Sequence, residues 1–235
     1  MLKSLALIPA RGGSKGVKNK NIRKVAGEPL ICHSIHCANS SKKLTKSVVS
    51  TDDLKIKNIA ENYGSEVLIR PDFLARDDTP IVPVINYVIE QLYIKSSEKF
   101  DIIIILQPTS PIRTGKQLDE VINMFEEDKN LEEVVSVVPM DEIHPARMYN
   151  LSKDNFLIPI NSDLEKSRRQ KLPLVYYRNG CIYAIKTKSL LEKKSLMNEN
   201  KKAFIMPLSW LANIDDERDL IIADVLMKKW KEGKL

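Results

Sequence analysis

Cysteine is scarce: Cys32, Cys37 and Cys181 are the three in 235 residues, an odd number with no C-x-x-C pair. A disulfide framework is therefore not implied, and buried thiols in a reducing compartment are the simplest reading. Histidine is equally scarce, at three. His33 and His36 fall beside Cys32 and Cys37 on one predicted helix, but the adjacent cysteines point elsewhere and zinc is not expected. Long apolar runs are missing too. DIIIIL at 101–106 falls far short of the ~20 residues that cross a bilayer, and Pro9 and Arg11 interrupt the opening MLKSLALIPARGGS before a secretory h-region can form. A soluble, cytoplasmic protein without membrane insertion is expected. The lysines at 42–46, 55–57, 186–194 and 228–234 have no RGG, Cys₂His₂ or helix-turn-helix context, so nucleic acid is not an expected partner. The formal charge of +6, from 37 Lys plus Arg against 31 Asp plus Glu, suits phosphate-bearing substrates. No repeat, low-complexity linker or second core is visible, so residues 1–235 are read as one domain.

What is present is an alternation of strands and helices. SLALIPA at 4–10, SVVST at 47–51, EVLIRP at 66–71, DIIIILQP at 101–108 and EVVSVVPM at 133–140 read as strands. Between them, helices are predicted over 30–41, 54–64, 80–95 and 115–128. DIIIIL is apolar on both faces, as a central strand covered by helices on both sides would be. Repeated β-α units of this length imply a mostly parallel sheet. The rhythm breaks over 141–175, where FLIPI and PLVYY are short candidate strands in an excursion from the sheet. GCIYAIKTKSLL then resumes a strand and helical turn, FIMPLS reads as a further strand, and DERDLIIADVLMKKWKEG closes the chain as an amphipathic helix.

Ligands of open parallel sheets bind beyond the C-terminal strand ends. Four polar segments fall there: Arg11–Asn21, Ser50–Asp53, Gln107–Arg113 and Asn213–Asp219. The first, in IPARGGSKGVKNKN at 8–21, has the adjacent Gly12 and Gly13 followed by Ser14, Lys15 and Lys20. Glycines let backbone N–H groups approach a ligand, and Arg and Lys supply charge for phosphate oxygens. The spacing matches neither G-x-x-x-x-G-K-[ST] nor G-x-G-x-x-G, which counts against the usual ATPase and dinucleotide readings.

The order of six motifs resembles the acylneuraminate cytidylyltransferases, or CMP-sialic acid synthetases, including the bacterial CMP-legionaminic and CMP-pseudaminic acid synthetases. The motifs are I-P-A-R-G-G-S-K-x-x-x-x-K-N, Ser50-Thr51-Asp52, Arg70-Pro71, Leu106-Gln107-Pro108-Thr109-Ser110-Pro111-x-Arg113, Arg169-Gln170-x-Leu172-Pro173 and Asn179-Gly180-x-x-Tyr183. The resemblance covers roughly residues 4–224. It implies a three-layer, Rossmann-like α/β nucleotidyltransferase fold, a homodimer with 141–175 as a protruding dimerisation arm, and Mg²⁺. The implied reaction transfers CMP from CTP to a nine-carbon 2-keto sugar acid, a nonulosonic acid. A non-catalytic nucleotide-binding protein is the reading from another class. Cytidylyltransferases of eight-carbon keto-deoxy acids open with a Lys/Arg-Pro-Gly pattern that is absent here.

Carried over by matching position, the resemblance implies Arg11 and Lys20 as phosphate-binding catalytic cations. Gly12, Gly13, Ser14, Lys15, Asn21 and Arg70 would contact the nucleotide, and Gln107, Ser110, Arg147, Arg169 and Tyr183 the sugar acid. Arg147 stands where relatives can carry lysine. Before the last helix many relatives read D-I-D-x-x-x-D, whereas this chain reads Asn213-Ile214-Asp215-Asp216-Glu217-Arg218-Asp219. Asp215 is thus the expected metal ligand and Asn213 a neutral one. Asp216, Glu217 and Asp219 serve equally well as caps for the helix.

Overall fold

The computed structural model describes residues 2–140 and 143–235. Asp141 and Glu142, the first residues of the predicted excursion, lie outside the described residues. The chain opens with β1 (Ser4–Pro9), a two-residue ribbon of β2 (Lys24–Val25) and β3 (Glu28–Pro29), and α1 (Leu30–Ser40). Then come β4 (Lys46–Thr51), α2 (Leu54–Asn62), β5 (Glu66–Ile69), α3 (Ile81–Ser96), β6 (Ile102–Ile105), α4 (Gly115–Glu127) and β7 (Glu133–Met140). The excursion holds β8 (Tyr149–Leu151) and β9 (Leu157–Pro159), and the chain finishes with β10 (Val175–Lys186), α5 (Thr187–Lys193), β11 (Lys201–Ile205) and α6 (Glu217–Lys231).

Seven strands form one sheet in the order β11-β7-β10-β6-β1-β4-β5. Every pairing is parallel except those of β10, which runs antiparallel to both β6 and β7. Four consecutive isoleucines make β6 suited to burial on both faces. Ile102 and Ile104 join Ile31, Ile35, Val121 and Phe125 of α1 and α4, while Ile103 and Ile105 join Ile85, Val88 and Leu92 of α3. This is a helix–sheet–helix sandwich, a Rossmann-like α/β fold with a mostly parallel sheet.

Local chemistry sets the boundaries. Asp53 caps α2 by accepting from Lys55 N and Ile56 N. Thr114 with Gln117, and Asp216 with Asp219, form reciprocal capping boxes at α4 and α6. Two expectations need correction. FIMPLS is not a strand over 204–209: β11 ends at Ile205, and a short 3₁₀ turn, Leu208–Trp210, follows Pro207, which has no N–H for a ladder. PLVYY is not a separate strand either, because its last three residues begin β10. The register of β10 shifts between Arg178 and Tyr183, around Gly180 with φ of 74°. Such a bend calls for glycine.

A third cluster of buried residues knits the ligand-side loops together. Val17 of the glycine loop, Val25, Ile112, Ile214, Leu220 and Met227 pack as one group. Gly16 lies so close to the loop before α6 that a Cβ there would meet Asp215 O at 1.9 Å. Segments nearly two hundred residues apart thus share one wall.

Candidate active site

From β1 the chain moves to β4 and β5, then returns to β6 on the other side of β1. Loops after β1 and β6 therefore diverge at a topological switch point, where doubly wound sheets bind ligands. A cavity of about 560 Å³ opens there, lined by Arg11, Ser14, Lys15, Lys20, Asn21, Arg70, Gln107, Asn213 and Asp215 among others. Most of the residues predicted to bind nucleotide thus come together. A cavity of about 640 Å³ at the other end of the strands, walled by Tyr93, Phe100 and Leu191, holds none of them. Volume alone does not mark the site.

The cations of the first cavity are arranged by carboxylates. Asp77 pairs with Arg11 and, at 2.6 Å, with Lys15, and both contacts hold its carboxyl below the usual carboxylate range. Lys20 Nζ donates to Ile214 O at 2.6 Å and lies 4.0 Å from Asp215 Oδ1. Burial pushes the Lys20 ammonium below its ordinary pKa, with Asp215 opposing. Arg70 is buried, its guanidinium 3.9 Å from Asp52, and burial lowers its pKa too. Asn21 donates from Nδ2 to Arg11 O at 2.9 Å, fixing the turn. Gly12 N–H donates to Asp52 Oδ1 at 3.1 Å, and a Cβ at Gly12 would meet Asp53 Oδ2 at 2.7 Å. Gly13 faces open space.

A second cavity, about 430 Å³, shares Gln107 and Asn213 with the first and is otherwise walled by Tyr176, Tyr177, Arg178, Asn179, Gly180 and Tyr183. Predicted sugar-site residues Gln107 and Tyr183 therefore meet. Ser110 stands at the seam but is buried, donating from Oγ to Asn179 O at 2.9 Å and toward Asn213 Oδ1 at 3.3 Å. Its hydroxyl braces the two loops. Arg147 and Arg169 lie apart from both cavities. Arg147 donates to Glu165 O and Ser167 O within the arm, and Arg169 lines a separate hollow with His144 and Pro173.

Three contributors carried no assigned role in the sequence, and a fourth, Arg113, stood at the end of the Gln107 motif with either a ligand or the following helix as its partner. Asp77, in the Arg76-Asp77-Asp78 run before α3, clasps the glycine loop. Asn179 lies within the Asn-Gly-x-x-Tyr motif, and its Oδ1 accepts from Ser136 Oγ at 2.6 Å and Cys181 N at 3.2 Å. Arg178 is the cation of the second cavity. Arg113 is buried without a carboxylate: Nη1 donates to Gln107 O at 3.0 Å, Ser110 O at 2.6 Å and Cys181 O at 3.0 Å, and Nη2 to Ser34 Oγ. One guanidinium thus ties the Gln107 loop to the Gly180 bend. Arg113 and Asn179 stood inside motifs and Arg178 beside one, whereas Asp77 carried only its charge.

Among the described residues, no group of three or more His, Cys, Asp or Glu side chains is gathered for a metal. Asp215 and Asn213 present hard oxygens at the cavity rim, and Asn213 Nδ2 donates to Asp215 Oδ2 at 2.6 Å. Asp216 and Asp219 are occupied as helix caps. One carboxylate with an amide fits an ion such as Mg²⁺ that draws most of its oxygens from a triphosphate and water.

Switch-point topology, a cation-rich glycine loop and an adjoining polar cavity define a nucleotidyltransferase of the Rossmann-like class. The fold agrees with that of a solved CMP:2-keto-3-deoxy-manno-octonic acid synthetase complexed with CTP (TM-score 0.71, 17% identity, 97% of this chain and 99% of that one). It also agrees with that of 4-diphosphocytidyl-2C-methyl-D-erythritol synthase from Anaerococcus prevotii (TM-score 0.60, 13% identity, 97% of this chain and 96% of that one).

The chain belongs to the cytidylyltransferase family, whose sequence pattern matches residues 5–212, and within it to the CMP-sialic acid and nonulosonate branch. It is 34% identical to the CMP-N,N'-diacetyllegionaminic acid synthase of Legionella pneumophila, over 99% of both chains. Identity is 32% to the post-translational flagellin modification protein B of Campylobacter coli, over 97% of both chains. Against the N-acylneuraminate cytidylyltransferase of Escherichia coli it is 31%, over 99% of this chain and 54% of that protein.

Proposed function

We propose that the protein transfers CMP from CTP to the anomeric hydroxyl of a nine-carbon 2-keto sugar acid, releasing pyrophosphate. The observation that carries this reading is the pair of joined cavities. One is lined with cations and the glycine loop, the other with tyrosines and amides, and Gln107 and Asn213 belong to both. Acceptor oxygen and α-phosphorus would meet at that junction. The sugar oxygen bonds to the α-phosphorus, the bond from that phosphorus to the bridging oxygen breaks, and the hydroxyl proton passes to solvent. Charge neutralisation and alignment do the work, and no enzyme nucleophile is required.

Arg11, Lys15 and Lys20 would hold phosphate oxygens, with Arg11 and Lys15 released from Asp77 as the triphosphate enters. Asn21 fixes the turn that presents them, and Arg70 closes the far wall. Asp215, oriented by Asn213, would hold Mg²⁺, which when bound supplies positive charge at the phosphates. Gln107 and Tyr183 would contact the acceptor. The single domain would act as a homodimer through the arm, where Leu151, Phe156, Leu157 and Ile160 are exposed, and a second copy could bring Arg147 or Arg169 toward the sugar.

Pyrophosphate release from CTP is the test, measured with N-acetylneuraminic, N,N'-diacetyllegionaminic and pseudaminic acids and with an uncharged hexose. Release with at least one nonulosonic acid and none with the hexose is expected. CTP binding without release on any acid would instead make this a nucleotide-binding protein. The names of the relatives favour including legionaminate and pseudaminate beside neuraminate.

A further inference from the structure

A 2-keto sugar acid brings a carboxylate to a cavity otherwise suited to hydroxyls, and burying that charge calls for a cation. The cations of the first cavity, Arg11, Lys15, Lys20, Arg70 and Arg76, lie on the side proposed for the phosphates. The arginines first singled out for the acid lie elsewhere: Arg147 is engaged by arm carbonyls, and Arg169 lines another hollow. Arg178 alone among Lys and Arg lines the second cavity, with Gln107 and Tyr183.

The register of β10 explains how it gets there. Arg178 pairs with Val137 and Tyr183 with Val135, and alternate residues of β7 face the same side of the sheet. The irregular turn around Gly180 therefore restores Arg178 and Tyr183 to one face, on neighbouring rows. A Cβ at Gly180 would crowd Gln107 Oε1 at 3.2 Å and Ser110 Oγ at 2.8 Å, so the bend also leaves room for Gln107 beside them. Among the described residues the Arg178 side chain makes one hydrogen bond, from Nη1 to Met197 Sδ at 3.1 Å. Thioether sulfur is a weak acceptor. The acid nearby, Glu133, takes its hydrogen bond from Asn198 N at 2.7 Å instead. The guanidinium keeps its fork for an incoming anion.

We propose that Arg178 receives the carboxylate of the sugar acid and so sets the requirement for an acidic acceptor. This assignment rests on the cytidylyltransferase reading of the two cavities. Arg178 is exposed, so its replacement leaves the core intact.

The experiment compares wild type, Arg178→Met, Arg178→Lys and Arg147→Met, using N,N'-diacetyllegionaminic acid, N-acetylneuraminic acid and the C1 amide of each. Arg178→Met should raise KM for the acids about ten- to a hundredfold, the size of a lost charge-assisted contact. KM for CTP should not change. The mutant should also lose the wild-type preference for acid over amide, and Arg178→Lys should recover part of it. A mutant that keeps the wild-type KM and preference overturns the assignment. Loss of the preference in Arg147→Met instead would give the carboxylate to the arm. If wild type forms no CMP product from these acids or from pseudaminic acid, the parent reading fails, and this one with it.

Discussion

Lys20 sits under two opposing influences, burial that disfavours its charge and the Asp215 carboxylate 4.0 Å away that favours it. With burial prevailing, the ammonium loses its proton below the 10.5 of an ordinary lysine. The alkaline limb of kcat/KM for CTP should therefore begin below that value. It should lie higher in kcat, since a bound triphosphate restores negative charge around the amine. Lys20→Arg should move the limb out of range, and an unmoved limb would detach it from Lys20. Lys20→Ala should fold normally yet lose roughly a hundredfold in turnover, about 3 kcal/mol of transition-state contact. Near-normal synthesis by that variant would remove the lysine from the mechanism. Asp215 and Asp216 are adjacent but differently employed, one facing the cavity and the other capping α6. Asp215→Asn should raise the Mg²⁺ concentration for half-maximal rate far more than Asp216→Asn, which keeps an N-cap acceptor and should leave thermal stability nearly unchanged. Equal metal titrations would discard the assignment to Asp215.

At the scale of elements, the β-α rhythm was legible because hydrophobic periodicity and punctuation agreed: the isoleucines of β6, Pro80 before α3, Thr114 before α4. Strand ends beyond β6 were harder to read. The ladder of β11 stops where Pro207 follows, and β10 absorbs PLVYY through an irregular bend that alternation alone does not reveal. Part of the cation-lined cavity was equally legible, because Arg11, Ser14, Lys15, Lys20 and Asn21 are local in sequence. The clamp beneath the second cavity was legible only in its arginine, because Arg113 acts through carbonyls of Gln107, Ser110 and Cys181, and backbone acceptors leave no sequence signal. Ser110 shows the same limit: its motif marked it for the ligand, and its burial made it a brace. Arg113→Met should leave the buried carbonyls of Ser110 and Cys181 without this donor and destabilise the protein by about 2–3 kcal/mol. Urea unfolding checks this, and an unchanged midpoint would show that other donors satisfy the loop. The three cysteines, by contrast, were read well from scarcity alone. All are buried, with burial pushing Cys32 up to about 12 and Cys37 and Cys181 to about 11, which keeps them as unreactive thiols.

The whole molecule presents a covered sheet and an uncovered arm. Phe156 is 72% exposed and Leu157 64%, unusual for a segment with defined strand pairing. A second copy covering this arm is the expected remedy. Sedimentation at micromolar concentration should give a dimer, and Phe156→Asp with Leu157→Asp should give monomers. A fully active 26.8 kDa species would refute the arm as an obligate interface. No helix among the described residues is long and apolar enough to cross a membrane. The central claim, that two joined cavities bring an acceptor hydroxyl to the α-phosphorus of CTP, is tested most directly by following the phosphate. CTP labelled at the α-phosphate should pass its label to a product containing the nonulosonic acid, while label at the γ-phosphate should appear only in pyrophosphate. Release of γ-label as inorganic phosphate, or an acid product that carries no α-label, would contradict the account.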